Sequence, residues 1–486
     1  MSLPPLSILL LLPLLGAPLC WLAGERQART VALCCAVSVL LVALAVLAGF
    51  DVGNGDFQWR ERHVWIPGIN VAWDLGVDGL SVLFLPATAS LFLAAMVIGQ
   101  RAPQPLPALY YALLLLLEFA TLGVFCALDV LLFFSFWELT LIPLYFLIGL
   151  WGLPAAGRAA ATRYLLLMLS GGVCLLMAFL LVAANAGMQF DLPTLLAGRL
   201  PYERQLIIFL LLLFGFAVKA PLVPLHSWLP SLALGGPAAI TALLVGLKLG
   251  AYGLLRFAIP LAPDAAQSLH WLLAGLGTVS VLYGAVAALA QTNLRAVIAY
   301  GSVAHVGLVV LGMASFSVAA VQGSVVLLLS FSLTSGGAFL LLNSLQRRVD
   351  SCDLSALSGV SQRMPQLSRF FLLFGLAAMG LPGTIGFPAE FLIIVSALQV
   401  HSGAALAALF AMVVCAAAFL VPYRAAFQGP VLHTAVAEAD DLVTREFWVA
   451  LLLVLLVVGL GVYPQPLLDL IRPAAELWVA RLGQSG

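Results

Sequence analysis

The stretch "FGFAVKAPLVPLHSWLP", residues 214–230, sets Lys219 inside an apolar run and follows it with Pro221 and Pro224. An ammonium at the centre of a bilayer costs about 3 kcal/mol on insertion scales. Proline lacks an N–H and leaves the carbonyl four residues back without its helical partner. Pro221 and Pro224 thus free the carbonyls of Ala217 and Ala220, on either side of Lys219, and these oxygens with water are expected to solvate the ammonium. The whole chain has only two lysines, Lys219 and Lys248, against nineteen arginines (21 basic residues less 2). Both lysines lie in apolar stretches. Arginine practically never deprotonates, whereas a lysine deprived of water and counter-charge gives up its proton far more readily. Lysines kept only in the apolar segments therefore look chosen to release protons.

The rest of the chain supports a membrane setting. It is 63% hydrophobic and 9% charged, about a third of the charge of a soluble domain. Fourteen apolar spans are read near 4–22, 30–49, 79–99, 107–127, 130–151, 162–185, 204–232, 237–258, 268–290, 296–314, 320–343, 369–400, 404–424 and 446–463. Most can cross a hydrocarbon core of about 30 Å, so the fold class is an all-α polytopic membrane protein. The first span lacks a basic leader and reads as membrane helix rather than signal peptide. Loops after odd-numbered spans hold twelve arginines, Arg101 among them, and the other side holds seven. The positive-inside rule places both termini outside the cytoplasm.

Net charge is zero, so nothing electrostatic favours a nucleic-acid partner. None of the seven cysteines forms a C-x-x-C pair, and there is no P-loop or G-x-G-x-x-G after a strand. No redox cofactor is expected on this chain.

An internal repeat is visible. The seventh span pairs Lys219 with two prolines. The twelfth carries "GLPGTIGFPAEF" (380–391), with Glu390 beside Pro382 and Pro388, 171 residues further on. Five spans separate them, an odd number, so the halves are inverted. Inverted repeats with broken helices mark ion paths in transporters.

Other ionisable groups fit the same plan. Lys248, in "TALLVGLKLGAYGLLRF" (241–257), lies twelve residues into the eighth span, about 18 Å deep at 1.5 Å per residue. Glu138, in "FFSFWELTLIPLYFLIGLWG" (133–152), is mid-membrane on the fifth span, beside the Leu139 carbonyl freed by Pro143. Lys219 is its natural counter-ion, though buried pairs also occur without function. Glu390 is the corresponding acid of the second half. His226 and His305 titrate near neutrality and suit a relay, although a membrane histidine is often only a helix–helix hydrogen bond. Glu118 and Asp129 flank a tight turn and read as interfacial. The loop "DVGNGDFQWRERHVWIPG" (51–68) reads as a solvated outer cover.

The motifs "FWELTLIPLYFLIGLWG" (136–152), "FAVKAPLVPLHSWLP" (216–230), "GLKLGAYGLLRF" (246–257), "AVIAYGSVAHVGLVVLG" (296–312) and "GLPGTIGFPAEF" are joined by "GVDGLS" (76–81) and "ALD" (127–129). Together they resemble the subunit M (subunit 4) family of antiporter-like proteins in proton-pumping NADH:quinone oxidoreductase, respiratory complex I. The resemblance covers essentially the whole chain. It implies fourteen transmembrane helices, two inverted five-helix repeats and one proton channel. It implies that Glu138, Lys219, Lys248 and Glu390 carry the proton, with His226 and His305 as relay histidines. FMN, iron–sulfur clusters, NADH and quinone would belong to partner subunits, and other antiporter-like subunits would be its neighbours in a bacterial cytoplasmic membrane. The short C-terminus also resembles subunit M, since subunit L extends into a long lateral helix.

The expected division is 1–106 for the first three helices, 107–258 and 268–424 for the repeats, and 425–486 for helix 14 and a short tail. Three departures from the family pattern stand out. "SLALGGP" (231–237) lacks the usual aspartate and histidine, Phe331 replaces a usual histidine, and Asn293 replaces a common aspartate. A subunit of a cation/proton antiporter or hydrogenase-like ion-uptake assembly, and a structural paralogue that only bridges its neighbours, are the other readings.

Overall fold

The structure is a computed structural model that describes residues 4–99 and 106–483. Arg101, counted above toward the arginine-rich side, lies outside the described residues. Among the described residues, eleven helices are long and apolar enough to cross a membrane. Three more passages bring the total to fourteen. One is the short helix Phe84–Ile98, and two are broken: Tyr202–Lys219 then Trp228–Gly235, and Pro365–Ala378 then Gly386–Val400. The chain is an all-α polytopic membrane protein, and among the described residues its one sheet is a two-stranded hairpin.

The internal repeat has a physical signature. Val130 N donates to Phe190 O at 2.9 Å and Leu192 N to Leu128 O at 2.7 Å. The same ladder recurs as Leu294 N to Cys352 O at 3.0 Å and Leu354 N to Thr292 O at 2.8 Å. In each, the segment entering one span (the fifth, the tenth) pairs with the loop two helices later. The entering residue caps its helix: Asp129 accepts from Leu131 N and Leu132 N, and Asn293 accepts from Arg295 N. The two ladders lie five spans apart, so they sit at opposite ends of the bundle. Asn293 uses its amide to donate to Asp353 at 2.7 Å, which an aspartate could not do while ionised.

Several sequence expectations are corrected. The eighth span is not continuous: it stops at Gly246, restarts at Leu249, and passes into a π-helical turn over Leu254–Ala258. Lys248 stands at the interruption. Glu118 is not interfacial, because the fourth span runs unbroken over Pro107–Cys126 and buries it completely against the first two helices. Asp129 is a buried helix cap that also takes Ala72 N at 3.0 Å.

The outer loop is more than a cover. Its strands β1 (Gln58–Ile66) and β2 (Val71–Val77) pair antiparallel. From β1, Glu61 accepts the N–H groups of Leu6 and Ser7 at 2.8 and 3.0 Å, satisfying donors that a helix start leaves free. Arg60 reaches both Asp74 and Asp191, tying the hairpin to the loop after the sixth span.

The tail also folds. Gln465–Gly483 is a helix that buries Ile471, Ala475 and Trp478. Trp478 Nε1 donates to Leu255 O at 2.8 Å, taking up a carbonyl within the π turn. From the same turn Arg256 forms a buried ion pair with Asp78, one bond of which measures 2.6 Å.

Arg256→Met removes one partner and leaves Asp78 buried and uncompensated. We expect a loss of about 3–5 kcal/mol, read as a lowered melting temperature of the detergent-solubilised protein. An unchanged melting temperature would contradict a fully desolvated pair.

Candidate functional site

Lys219 is the last residue of the helix Tyr202–Lys219 and is 7% exposed. Its Nζ donates to Thr140 Oγ1 at 2.8 Å and to Trp137 O at 3.3 Å, and sits 4.0 Å from the Trp137 ring centre. All three partners belong to the fifth span. That span is interrupted at Thr140, just before Pro143, so carbonyls there turn outward to meet a cation.

The expected solvation by freed carbonyls of its own helix is not what forms. Ala217 O is taken by Leu222 N at 3.2 Å, and Val218 O by Trp228 Nε1 at 2.8 Å. A cavity of about 30 Å³ borders Lys219, Thr140, Thr121 and Trp228, enough for water by the usual requirement of about 10–15 Å³.

Glu138 does not close the expected ion pair. Among the described residues no contact within 4.0 Å joins its carboxylate to Lys219. Its Oε1 is buried without a partner, and it lies against Gly172 of the sixth span, where any Cβ would overlap the carboxylate. Glu138 and Lys219 therefore stand in an open arrangement, with the carboxylate against Gly172 and the ammonium on Thr140 and Trp137.

Lys248, 6% exposed, donates to Ser302 Oγ on the tenth span and faces the Phe331 ring at 5.7 Å. Ser302 and His305 are three residues apart on one helix and share one face. Between them lies a cavity of about 50 Å³, also lined by Thr334 and Ser335. Phe331, where the motif pattern calls for a histidine, stacks edge-on to His305 at 5.2 Å. Phe331 thus packs beside both Lys248 and His305, and the cavity next to them is mostly apolar, its hydroxyls coming from Ser302, Thr334 and Ser335.

His305 has an acceptor at each ring nitrogen. Gly301 O lies 2.7 Å from Nδ1 and Ala378 O 2.7 Å from Nε2, with Glu390 Oε1 at 3.8 Å. Only a doubly protonated ring donates to both carbonyls at once. Glu390 is 3% exposed and packs on Gly380, the residue with φ +69° that opens the break of the twelfth span.

His226 is set apart. It occupies the turn between the halves of the seventh span, with its ring edge-on to Tyr283 at 4.8 Å and Nδ1 buried without a partner. Nearby, Arg163 donates to Ser227 and Ser231 at 3.1 and 3.2 Å. Hydroxyls thus receive the guanidinium in the segment that lacks the family's acid.

The structure thus brings Lys248, His305 and Glu390 into one line and sets Lys219 with Glu138 beside it. His226 stands beside the Tyr283 and Tyr300 rings, its own ring 6.1 Å from that of Tyr300 on the tenth span. Thr140, Ser302, Gly172 and Gly380 are additions. Ser302 had a readable signal, its spacing from His305; the two glycines become meaningful only once the carboxylates they face are placed.

This geometry coincides with a known family. The family model for the transmembrane region of NADH:quinone oxidoreductase and Mrp antiporters matches residues 127–416. The chain belongs to this family. It is 35% identical to chain 4 of NADH-ubiquinone oxidoreductase from Arabidopsis thaliana, over 96% of this chain and 94% of that one. It is 35% identical to subunit M of NADH-quinone oxidoreductase from Pseudomonas aeruginosa, over 95% of each. Among solved structures it superposes on a chain of respiratory complex I from Thermus thermophilus with a TM-score of 0.91 and 30% identity, covering 98% of this chain and all of that one. A chain of the Mrp complex from a Dietzia species shares the fold at a TM-score of 0.87 and 23% identity, covering 99% of this chain.

Gly380→Ala places a Cβ against the Glu390 carboxylate and asks an L-residue to hold a left-handed backbone. We expect a loss of at least about 1 kcal/mol, seen as a lower melting temperature. A variant as stable as the parent would mean that the break is not held in this conformation.

Proposed function

We propose that this chain is a proton-translocating membrane-arm subunit of an NADH:quinone oxidoreductase. It moves protons through buried Glu, Lys and His groups while redox chemistry in partner subunits supplies the energy. The observation that carries this reading is that Lys248 meets Ser302, three residues before His305 on the same helix, while His305 stands 3.8 Å from Glu390 at the break of the twelfth span, with Ser302 and His305 both lining one cavity. Soluble-arm cofactors (FMN, iron–sulfur clusters) and the NADH and quinone sites lie on other subunits, and this chain's neighbours are further antiporter-like subunits. The membrane is the bacterial cytoplasmic membrane, with both termini on its outer face. The domain limits are 1–106, 107–258, 268–424 and 425–486.

In this mechanism Glu138 and Lys219 are the two halves of a switch. When the carboxylate swings from Gly172 to Lys219 it holds the ammonium charged. When it swings back, Lys219 keeps only a hydroxyl, one carbonyl and the Trp137 face, and an ammonium with so few partners releases its proton more readily. The proton passes to Lys248 through water, then by Ser302 and the cavity to His305, which receives it between two carbonyls and hands it to Glu390. His226, next to Ser227 that receives Arg163, serves the entry side. Moving one charge against 100 mV costs about 2.3 kcal/mol, so the swing of Glu138 must be driven from outside this chain.

Lys248→Ala tests the reading. Proton translocation by vesicles carrying the assembled complex should fall at least tenfold while assembly persists. Undiminished pumping would leave this chain a structural bridge, and pumping that requires sodium would favour a cation/proton antiporter.

Phe331→His puts a titratable group beside both Lys248 and His305. If the cavity is a detour around Phe331, proton translocation in this variant is maintained or raised, and its dependence on Ser302 is relieved. A Phe331→His, Ser302→Ala double variant as inactive as Ser302→Ala alone would exclude the detour.

A further inference from the structure

Two histidines outside the proposed path meet at one end of the second repeat. His270 opens the ninth span, and His401 forms the joint between Gly386–Val400 and Ser402–Phe427. His270 Nδ1 lies 3.4 Å from His401 Nε2, with the rings 5.0 Å apart and inclined by 28°. The same Nε2 lies 3.3 Å from the carbonyl of Ala314, which caps the tenth span. Three donor atoms from three elements converge, and both rings are partly exposed.

The spacing carries the argument. Two nitrogens at 2.0–2.1 Å from one tetrahedral metal ion stand about 3.4 Å apart, which is the separation found. Imidazole nitrogens suit zinc, copper and nickel, and a backbone carbonyl with water can complete the shell. Metal binds the neutral imidazole ring. Among the described residues neither histidine is engaged by a carboxylate. A shared His401 Nε2–H can serve both contacts in the metal-free protein, and the same two ring nitrogens with the carbonyl oxygen present three atoms at the separations of a metal's ligand set.

We propose that His270 and His401, with the Ala314 carbonyl, form a binding site for a divalent transition-metal ion, best met by Zn²⁺. Occupied, the site staples the ninth span to the joint behind the half-helix that carries Glu390. That joint is eleven residues from Glu390 (401 less 390), about 16 Å along a helix. Zinc is therefore expected to slow proton release by restraining this half-helix. This second effect rests on the proposed function, whereas the binding does not.

Equilibrium dialysis of the purified assembly against Zn²⁺ tests the site. Parent protein should hold one more zinc per assembly than His270→Gln or His401→Gln. Equal zinc content in all three overturns the site. Proton translocation is then titrated with Zn²⁺, using metal-free activity of each variant as the control for folding. A half-inhibitory concentration raised at least tenfold in both variants supports the staple, and identical inhibition of all three overturns it. An assembly that pumps no protons even without zinc would instead defeat the proposed function, leaving the dialysis result standing.

Discussion

The ammonium of Lys219 has no carboxylate in contact, and much of the structure follows from how that charge is held. A hydroxyl, a carbonyl and an aromatic face solvate it at the interruption of a neighbouring span. Such an arrangement satisfies the ion without fixing it, unlike a closed buried pair, whose separation is strongly unfavourable. In the proposed switch Glu138, now against Gly172, adds or withdraws the counter-charge. A pair that was always closed could not act as a switch, and one held far apart could not be closed by a side-chain rotation.

The second constraint is the backbone. Inside a membrane every N–H and C=O needs a partner, and non-helical segments survive only where protein or water supplies one. Each interruption here has such a supply. Thr140 and Lys219 serve the fifth span, Trp228 and Leu222 the seventh, and Ser332 takes Gly246 O at 3.1 Å in the eighth. In the twelfth, His305 takes Ala378 O. Ionisable groups and helix breaks coincide because each solves the other's problem: the break offers dipoles to the charge, and the charge or its neighbours satisfy the break. The matching ladders at 128–130 and 292–294 place the two sets of breaks at equivalent positions in opposite orientation.

The sequence carried the class of the protein, the broken seventh and twelfth spans and the burial of Lys219, Lys248 and Glu390, because prolines and ions in apolar runs are unmistakable. It did not carry contacts that depend on three dimensions. The break at Lys248 has no proline to announce it. Glu118 looked interfacial although the expected span already set it well inside the helix; its burial comes from packing against neighbouring spans, which the sequence does not display. The hairpin at 58–77 was hidden by its charged residues, which turn out to be partners for a helix start and for two aspartates. The tail at 465–483 was passed over because its apolar face is narrow, yet Trp478 ties it to the π turn behind Lys248.

The most direct test of a switchable lysine is proton translocation by vesicles in which Lys219 is replaced by arginine, beside an alanine replacement in the same assembly. Arginine keeps the charge and can reach the same oxygens, but does not give up its proton. The account predicts that both replacements abolish translocation although the arginine variant assembles as the parent does. Full pumping by the arginine variant would contradict it, because a fixed positive charge would then suffice where a releasable proton is required.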